Sequence, residues 1–502
     1  MRKKYLFALF FLFLIFALYS KGGEETLIPY STPFYLKVTS LKKFQELIGE
    51  EYVKSISSFL GEVKETSSLT FALIDFPRSW ILMGEWEHPL LASTSKQEFT
   101  YKGIEIKPCT VPPYKNKWFC QVEGKTIIGS DFIALKKIID TYRGGKNLSQ
   151  NPKFVSLKKT FKGDILFFKD IQPWRETLLS LLKLWISSEE GLFSRLSSQI
   201  NLKEIEDTLK SLDYVGGSFL IKKEGLKIQK IWALKKKPPL IVGDPSLLYL
   251  LPARTSLAID FLENREEKEK KIEEFLTRME EEIKKSPEKE KKTLTKKLKK
   301  IKVKIWSVWR KYKEALQPEI VFSLSFPSPS IMETIFLLPI KNRKSLDELI
   351  HSLQELSQEE ALPFSGFELK PLPGGRGEER KLTKYKITFP LSMRMPLSLY
   401  LTYTEDFLLL LGTTEDSKSM ENIWKAIGGK REVFKQKGEI KKFFKNFPSP
   451  HTAKIYFSFS QSFQQSTQGK GGGIIYPQGN WVVFEGFWER EDLCSLLKIL
   501  KP

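Results

Sequence analysis

Apolar and polar positions along this chain fall into two kinds of pattern. Short apolar runs bounded by turn residues predict strands at Leu69 to Phe76, Ser79 to Trp86, Gly103 to Thr110 and Trp118 to Val122. A longer period appears later. Ile272, Phe275, Leu276, Met279 and Ile283 follow helical spacing, as do Leu294, Leu298, Ile301, Ile305, Val308, Tyr312 and Leu316. Between them, Ser286-Pro287-Glu288 reads as a helix start: a capping serine, a proline in the first turn and an acid at the positive helix end. Two helices with one apolar stripe each predict a hairpin over 263–317, closed by Pro318.

The pattern repeats. Leu27-Ile28-Pro29-Tyr30-Ser31-Thr32-Pro33-Phe34-Tyr35-Leu36-Lys37-Val38 aligns without a gap on residues 250–261, from Leu250 to Phe261, at an offset of 223. The run Lys125-Thr126-Ile127-Ile128-Gly129-Ser130, leading into a helical run that ends at Gly144-Gly145, is answered by Leu408 to Thr413 and Gly428-Gly429. Asp164 to Lys169 is answered by Ala453 to Ser458. The closing pattern of Gly216-Gly217, a turn and Trp232 is answered by Gly472-Gly473, Gly479 and Trp488. Strands in sequence with short turns, and no strict βαβ alternation, predict an α+β fold with mostly antiparallel or mixed sheets. The expected organisation is two tandem related units, 26–240 and 248–502, the second carrying the hairpin insertion. The first unit alone carries Pro173 to Lys210, where Trp174 to Ile186 is apolar on nearly all faces and predicts a buried helix.

Composition adds an address. Arg2, Lys3 and Lys4 precede an uncharged run from Tyr5 to Tyr19. As a helix that run spans roughly 22 Å, against the ~30 Å hydrocarbon thickness of a bilayer. Residues 1–22 therefore read as a signal peptide or, uncleaved, an N-terminal anchor, placing the chain outside the cytoplasm as an exported, periplasmic or extracellular protein. The 502 residues carry a formal net charge of +21. A cytosolic chain this basic would suggest nucleic acid; export argues against that partner and for an anionic lipid surface or an acidic envelope partner.

The basicity is concentrated. Residues 288–313 hold twelve Lys or Arg against two Glu. Lys296, Lys297, Lys299, Lys300, Lys302, Lys304, Arg310, Lys311 and Lys313 surround Trp306, Trp309 and Tyr312. Cations with indole rings at a helix end suit an anionic membrane surface, and this is the candidate binding segment. The competing reading is a solvated charged face on a helix whose aromatics pack inward.

Catalytic signatures are absent from the sequence: no G-x-S-x-G, no H-E-x-x-H and no phosphate-loop pattern. His88, His351 and His451 are far apart and read as surface or cap residues, and no metal or cofactor is expected. Gly469 to Gly473 resembles a phosphate cradle, but its repeat partner Gly216-Gly217 precedes a strand, so a shared backbone feature explains both better. Cys109 and Cys120 flank a Pro-Pro turn and are a candidate cross-strand disulfide, the alternative being two free thiols; Cys494 reads as a core residue.

The Leu-x-Pro-x-x-Thr opening, the strand-Gly-helix step ending in Gly-Gly and the closing strand-Gly-strand hairpin resemble a family of exported bacterial proteins catalogued only as a domain of unknown function. The resemblance spans most of residues 26 to 500 and implies a large, duplicated α+β envelope protein. It implies no catalytic residues. The expected role is a non-catalytic binding or structural module, with a motif-less envelope hydrolase as the alternative.

Overall fold

The apolar runs form strands because alternate side chains have a core to enter, and the pairings described below are all antiparallel. The computed structural model describes residues 24–48, 68–75, 78–85, 99–109, 114–187, 202–252, 255–328, 331–357, 368–371, 383–388, 398–413, 438–458 and 470–493. The fold is α+β, built on extensive antiparallel sheet. The chain divides into two units, residues 1–238 with 478–502, and residues 239–477.

In the first unit, β1 (Phe34–Val38) is central, pairing on one side with β2 (Leu69–Asp75) and on the other with β8 (Ile165–Asp170). β2 pairs β3 (Ser79–Gly84), and β3 pairs β7 (Lys125–Gly129). A meander of β4 (Phe99–Tyr101), β5 (Ile104–Pro108) and β6 (Trp118–Val122) continues outward from β7. Beyond β8 lie β9 (Leu212–Lys222) and β10 (Gly225–Leu234). The helices are α1 (Leu41–Ile48), α2 (Phe132–Tyr142), α3 (Pro152–Thr160), α4 (Gln172–Ser187) and α5 (Leu202–Ser211).

The strand-Gly-helix step has a local cause. Asp131 caps α2 by accepting from the Ala134 amide at 2.8 Å, and Ser79 of β3 donates to the other carboxylate oxygen at 2.7 Å. That cap fixes α2 against β3, and Ala134, Leu135, Ile138 and Ile139 bury the helix's apolar face. A separate core cluster joins Leu36, Leu69, Leu82, Phe119, Ile128, Ile165 and Leu493. The glycine pair within β9 answers a steric demand. A Cβ on Gly217 would lie 2.1 Å from the Gln229 carbonyl oxygen of β10.

In the second unit, β11 (Leu257–Leu262) is central, flanked by β12 (Glu319–Ser328) and β18 (Ala453–Phe457). β12 pairs β13 (Ile331–Pro339), which pairs β17 (Phe407–Thr413). β16 (Ser398–Tyr403), β15 (Thr383–Thr388) and β14 (Glu368–Pro371) continue outward, and β19 (Gly471–Gln478) lies beyond β18. Gly472 sits in β19, where a Cβ would meet the Ile455 carbonyl oxygen at 2.3 Å. The Gly469–Gly473 segment is thus strand backbone at a close approach, where the residues are described.

Between β11 and β12 stands the helical hairpin: α6 (Arg265–Lys285) and α7 (Glu288–Ala315). Ser286 closes α6 as its C-cap, and Pro287 takes the N-cap position of α7, one residue later than the sequence pattern suggests. α8 (Arg343–Ser357) and α9 (Gly438–Lys445) complete the described helices. A core of Ala315, Leu316, Leu346, Leu349, Ile350, Leu369, Tyr403 and Leu408 roots α7 and α8 on the sheet.

The last strand, β20 (Trp481–Glu489), belongs with the first unit and pairs with β10. Its register puts Gln229 opposite Glu485, Leu226 opposite Trp488 and Trp232 opposite Val482.

Candidate anionic-surface site

The candidate segment lies wholly on α7, and its helical phase sorts the residues. Leu298 and Ile301 are buried, which turns Lys296, Lys297, Lys299, Lys300 and Lys302 outward. All five are exposed, and Lys302 also reaches Glu280 of α6 at 3.2 Å. Arg310 is exposed as well, further along the helix. Lys304 and Trp306 are half-buried.

The aromatic part of the expected site is arranged differently. Trp309 is buried at 9% exposure, and its Nε1 donates to Glu269 of α6 at 2.8 Å. Its ring stacks on Tyr312, centroids 5.2 Å apart. Tyr312 in turn donates to Glu263, which is 2% exposed, at 3.0 Å, with Arg265 beside it. Burial, reinforced by the Glu263 charge, pushes the Tyr312 phenol well above its ordinary value. Lys313 bonds to Glu269, and Lys311 bonds Ser352 of α8 at 2.9 Å. Trp309, Lys311 and Lys313 therefore serve the root of the hairpin and do not form a surface belt. The reason is the seam itself: the positions that continue Leu298 and Ile301 at helical spacing must point inward.

What remains outward is a lysine cluster on the distal half of α7. Both helices are capped with matching charge. Glu266 and Glu267 occupy the first turn of α6 and Glu288 and Glu290 that of α7, while Lys284 and Lys285 end α6 and Lys313 ends α7. The hairpin's apolar seam is incompletely closed. On α6 only Leu276 is buried, while Ile272, Phe275, Met279 and Ile283 are half-buried.

Each unit also holds a buried charge cluster that sequence reasoning missed. In the first, Glu24 and Glu25 are 1% and 2% exposed. Lys37 of β1 lies 3.3 Å from each carboxylate, and Thr70 donates to Glu24 at 2.9 Å. Lys125 also bonds Glu24, and Lys158 lies 3.2 Å from Glu25. Burial opposes the Glu25 charge, yet Lys37 and then Lys158 hold its carboxyl below the usual range.

In the second unit, Asp260 of β11 is fully buried. Its Oδ2 accepts from the Leu248 amide at 2.8 Å, and its Oδ1 accepts no hydrogen bond. Glu319 of β12 accepts from the Ser246 and Leu247 amides at the start of the same 3-10 turn. Burial, then the Glu319 charge, raises the Asp260 carboxyl to about 8. Lys454 of β18 bonds Asp244 at 2.9 Å and the Pro245 carbonyl. Each cluster has a buried centre, Glu24, Glu25 and Lys37 in one unit and Asp260 and Lys454 in the other, beside the 3-10 turn (Glu24–Thr26 or Leu247–Leu250) that precedes the central strand. They are structural in geometry.

The disulfide expectation is corrected. Cys109 and Cys120 are both free and buried. The register sets Cys120 opposite Ile106, while the Cys109 amide donates to the Lys117 carbonyl at 2.7 Å. The two cysteines are three rungs out of step, so their side chains leave opposite faces. Burial pushes both thiols up to about 12. His351 is exposed and pairs with Glu355 at 3.3 Å, and His451 is buried with its imidazole lowered by burial and by Lys454. Among the described residues no cluster of His, Cys, Asp and Glu could hold a metal, and no helix is long and apolar enough to cross a membrane. Residues 1–23, His88 and Cys494 lie outside the described residues.

No family model matches the chain, and no curated protein matches it. Solved structures similar to the chain include crystal forms I and III of TP0453. Form I shares 11% identity at a TM-score of 0.25, covering 43% of this chain and 81% of its own. Form III shares 10% at 0.22, covering 51% and 98%. Likeness at these scores leaves function to be argued from the chain's own residues.

Proposed function

We propose that this chain is an exported, non-catalytic protein of the cell envelope that binds an anionic membrane surface through the basic face of α7. The observation that carries the reading is the exposed group Lys296, Lys297, Lys299, Lys300 and Lys302, held outward by the buried Leu298 and Ile301. Each lysine near an anionic surface contributes about 1 kcal/mol. The exported address rests on the basic n-region and the short apolar run of the first twenty residues.

The scaffold is proposed to be two related copies of one α+β unit. Three observations support the duplication: the offset of 223 between residues 27–38 and 250–261, the recurring glycine pairs, and strand pairing of the same order. That order is β4-β5-β6-β7-β3-β2-β1-β8-β9 in one unit and β14-β15-β16-β17-β13-β12-β11-β18-β19 in the other. On this reading the hairpin occupies the place that α1 and its following segment hold in the first copy. The copy that carries it is thereby equipped for a contact the other lacks.

The test is vesicle flotation of residues 23–502, so that the apolar N-terminus does not itself anchor the protein. Binding to anionic vesicles, weakened by salt and lost on neutral ones, is expected. Replacing Lys296, Lys297, Lys299 and Lys300 together with Gln removes roughly 4 kcal/mol of attraction, about a thousandfold in partitioning. Flotation unaffected by that variant would refute the proposal.

A further inference from the structure

The seam of the hairpin leaves a cavity of about 620 Å³ over the sheet of the second unit. Ile272 and Phe275 of α6 form one wall, Ile305 and Val308 of α7 a second, and Leu353 of α8 a third. Leu338 and Leu408, from β13 and β17, form the floor. Toward the hairpin tip a second cavity of about 390 Å³ shares Phe275 and runs between Met279, Leu294 and Ile301. The larger volume falls within the ~300–1,000 Å³ of ordinary small-molecule sites.

Three features decide what fits. The walls are apolar almost throughout, so an occupant with hydrogen-bonding groups along its length would lose them on entry. The two cavities succeed each other along the helices, which favours a long, thin occupant. The lining side chains that carry charge are Lys268, Lys271, Arg278 and Lys297 against the single acid Glu282. A polar end at the mouth therefore meets mostly positive charge.

We infer that this groove accepts one acyl chain of an anionic membrane lipid, with the headgroup held at the basic rim and Trp309 at the cavity wall. The inference rests on the membrane-surface reading and sharpens it. The exposed lysines bring the hairpin to the bilayer, and the seam takes up an acyl chain. Half-buried Ile272, Phe275, Met279 and Ile283 are then the residues whose burial the lipid completes.

Trp309 supplies the assay, because it lines the cavity and is buried from the surface. The full chain is titrated with a lysophosphatidylglycerol brominated on its acyl chain, below its critical micelle concentration. Bromine in van der Waals contact quenches indole fluorescence, and the part absent from Trp309→Phe belongs to Trp309. Saturable quenching of that part is expected. Affinity should fall at least tenfold when Ile272→Phe and Val308→Phe together fill the groove. It should fall at least tenfold for the choline-headgroup analogue with the same chain.

Thermal unfolding of the filled variant checks that it is folded; if it is not, Leu353→Phe alone serves in its place. No Trp309 quenching, or quenching indifferent to the filled groove, overturns the acyl site. Equal quenching by the choline lipid overturns its anionic selectivity. Flotation without Trp309 quenching leaves the surface reading standing and the groove refuted; quenching by the monomeric lipid without flotation does the reverse.

Discussion

Replacing Asp260 by Asn tests the buried carboxyl of the second unit directly. Asp260 is fully buried, and burial together with the Glu319 carboxylate raises it to about 8. In the unfolded chain it titrates near its ordinary value of ~3.9. Between roughly pH 5 and 7 the folded state therefore holds a proton that the unfolded state has released. Folding binds a proton in that window, so stability falls as pH rises, by ~1.4 kcal/mol per pH unit from this group. The contribution is fully present below the unfolded value and is lost as pH passes through about 8. Asparagine keeps the acceptor for the Leu248 amide, which the aspartate holds at 2.8 Å, and offers Glu319 a donor that needs no proton. Asp260→Asn should match the parent below about pH 4 and gain on it steadily above that, by roughly 4 kcal/mol at pH 7. Denaturant titrations of both proteins at half-unit pH steps give the difference. A difference that stays flat across this range would refute the raised Asp260 carboxyl.

The first unit's cluster predicts the opposite sensitivity. Glu24→Gln leaves Lys37, at 7% side-chain exposure, with Glu25 as its remaining carboxylate, and should cost on the order of 1–3 kcal/mol by denaturant unfolding at pH 7. The thiols of Cys109 and Cys120, raised to about 12 by burial, should resist an aromatic disulfide reagent at pH 8 until the protein unfolds, and the native protein should run identically with and without reductant. Rapid labelling of the native chain at either cysteine would contradict their burial.

Much of the fold is legible because it depends on local signals. The strand at Trp118–Val122 and the hairpin helices follow from periodicity, and the step at Gly129-Ser130-Asp131 follows from a cap. The cysteine geometry is not legible, because it turns on register. A shift of one rung reverses the face a side chain takes, and nothing in the spacing of 109 and 120 fixes the rung. Trp309 fails for a related reason. Its composition resembles an interfacial aromatic among lysines, yet its phase places it on the seam, and only the partner Glu269 on α6 shows which of the two prevails.

The buried charge clusters show why even an aligned repeat conceals such features. At an offset of 223, Lys37 answers to Asp260 and Glu24 to Leu247, so the aligned positions read as an unrelated base, acid and apolar residue. Three-dimensional pairing restores the logic. Lys37 faces Leu166 on β8, whereas Asp260 faces Lys454 on β18. The cation has moved from the central strand to its neighbour, and the carboxylate from the 3-10 turn to the central strand. In each unit a buried ionisable side chain on the central strand engages that turn: Lys37 through the Glu24 and Glu25 carboxylates, Asp260 through the Leu248 amide. What both sites require is that an ionisable group beside a buried turn be met by opposite charge, by backbone donors or by a retained proton. That condition constrains the sum of the residues around the turn and leaves each position free, so the signs can exchange while the pairing order of the strands stays the same.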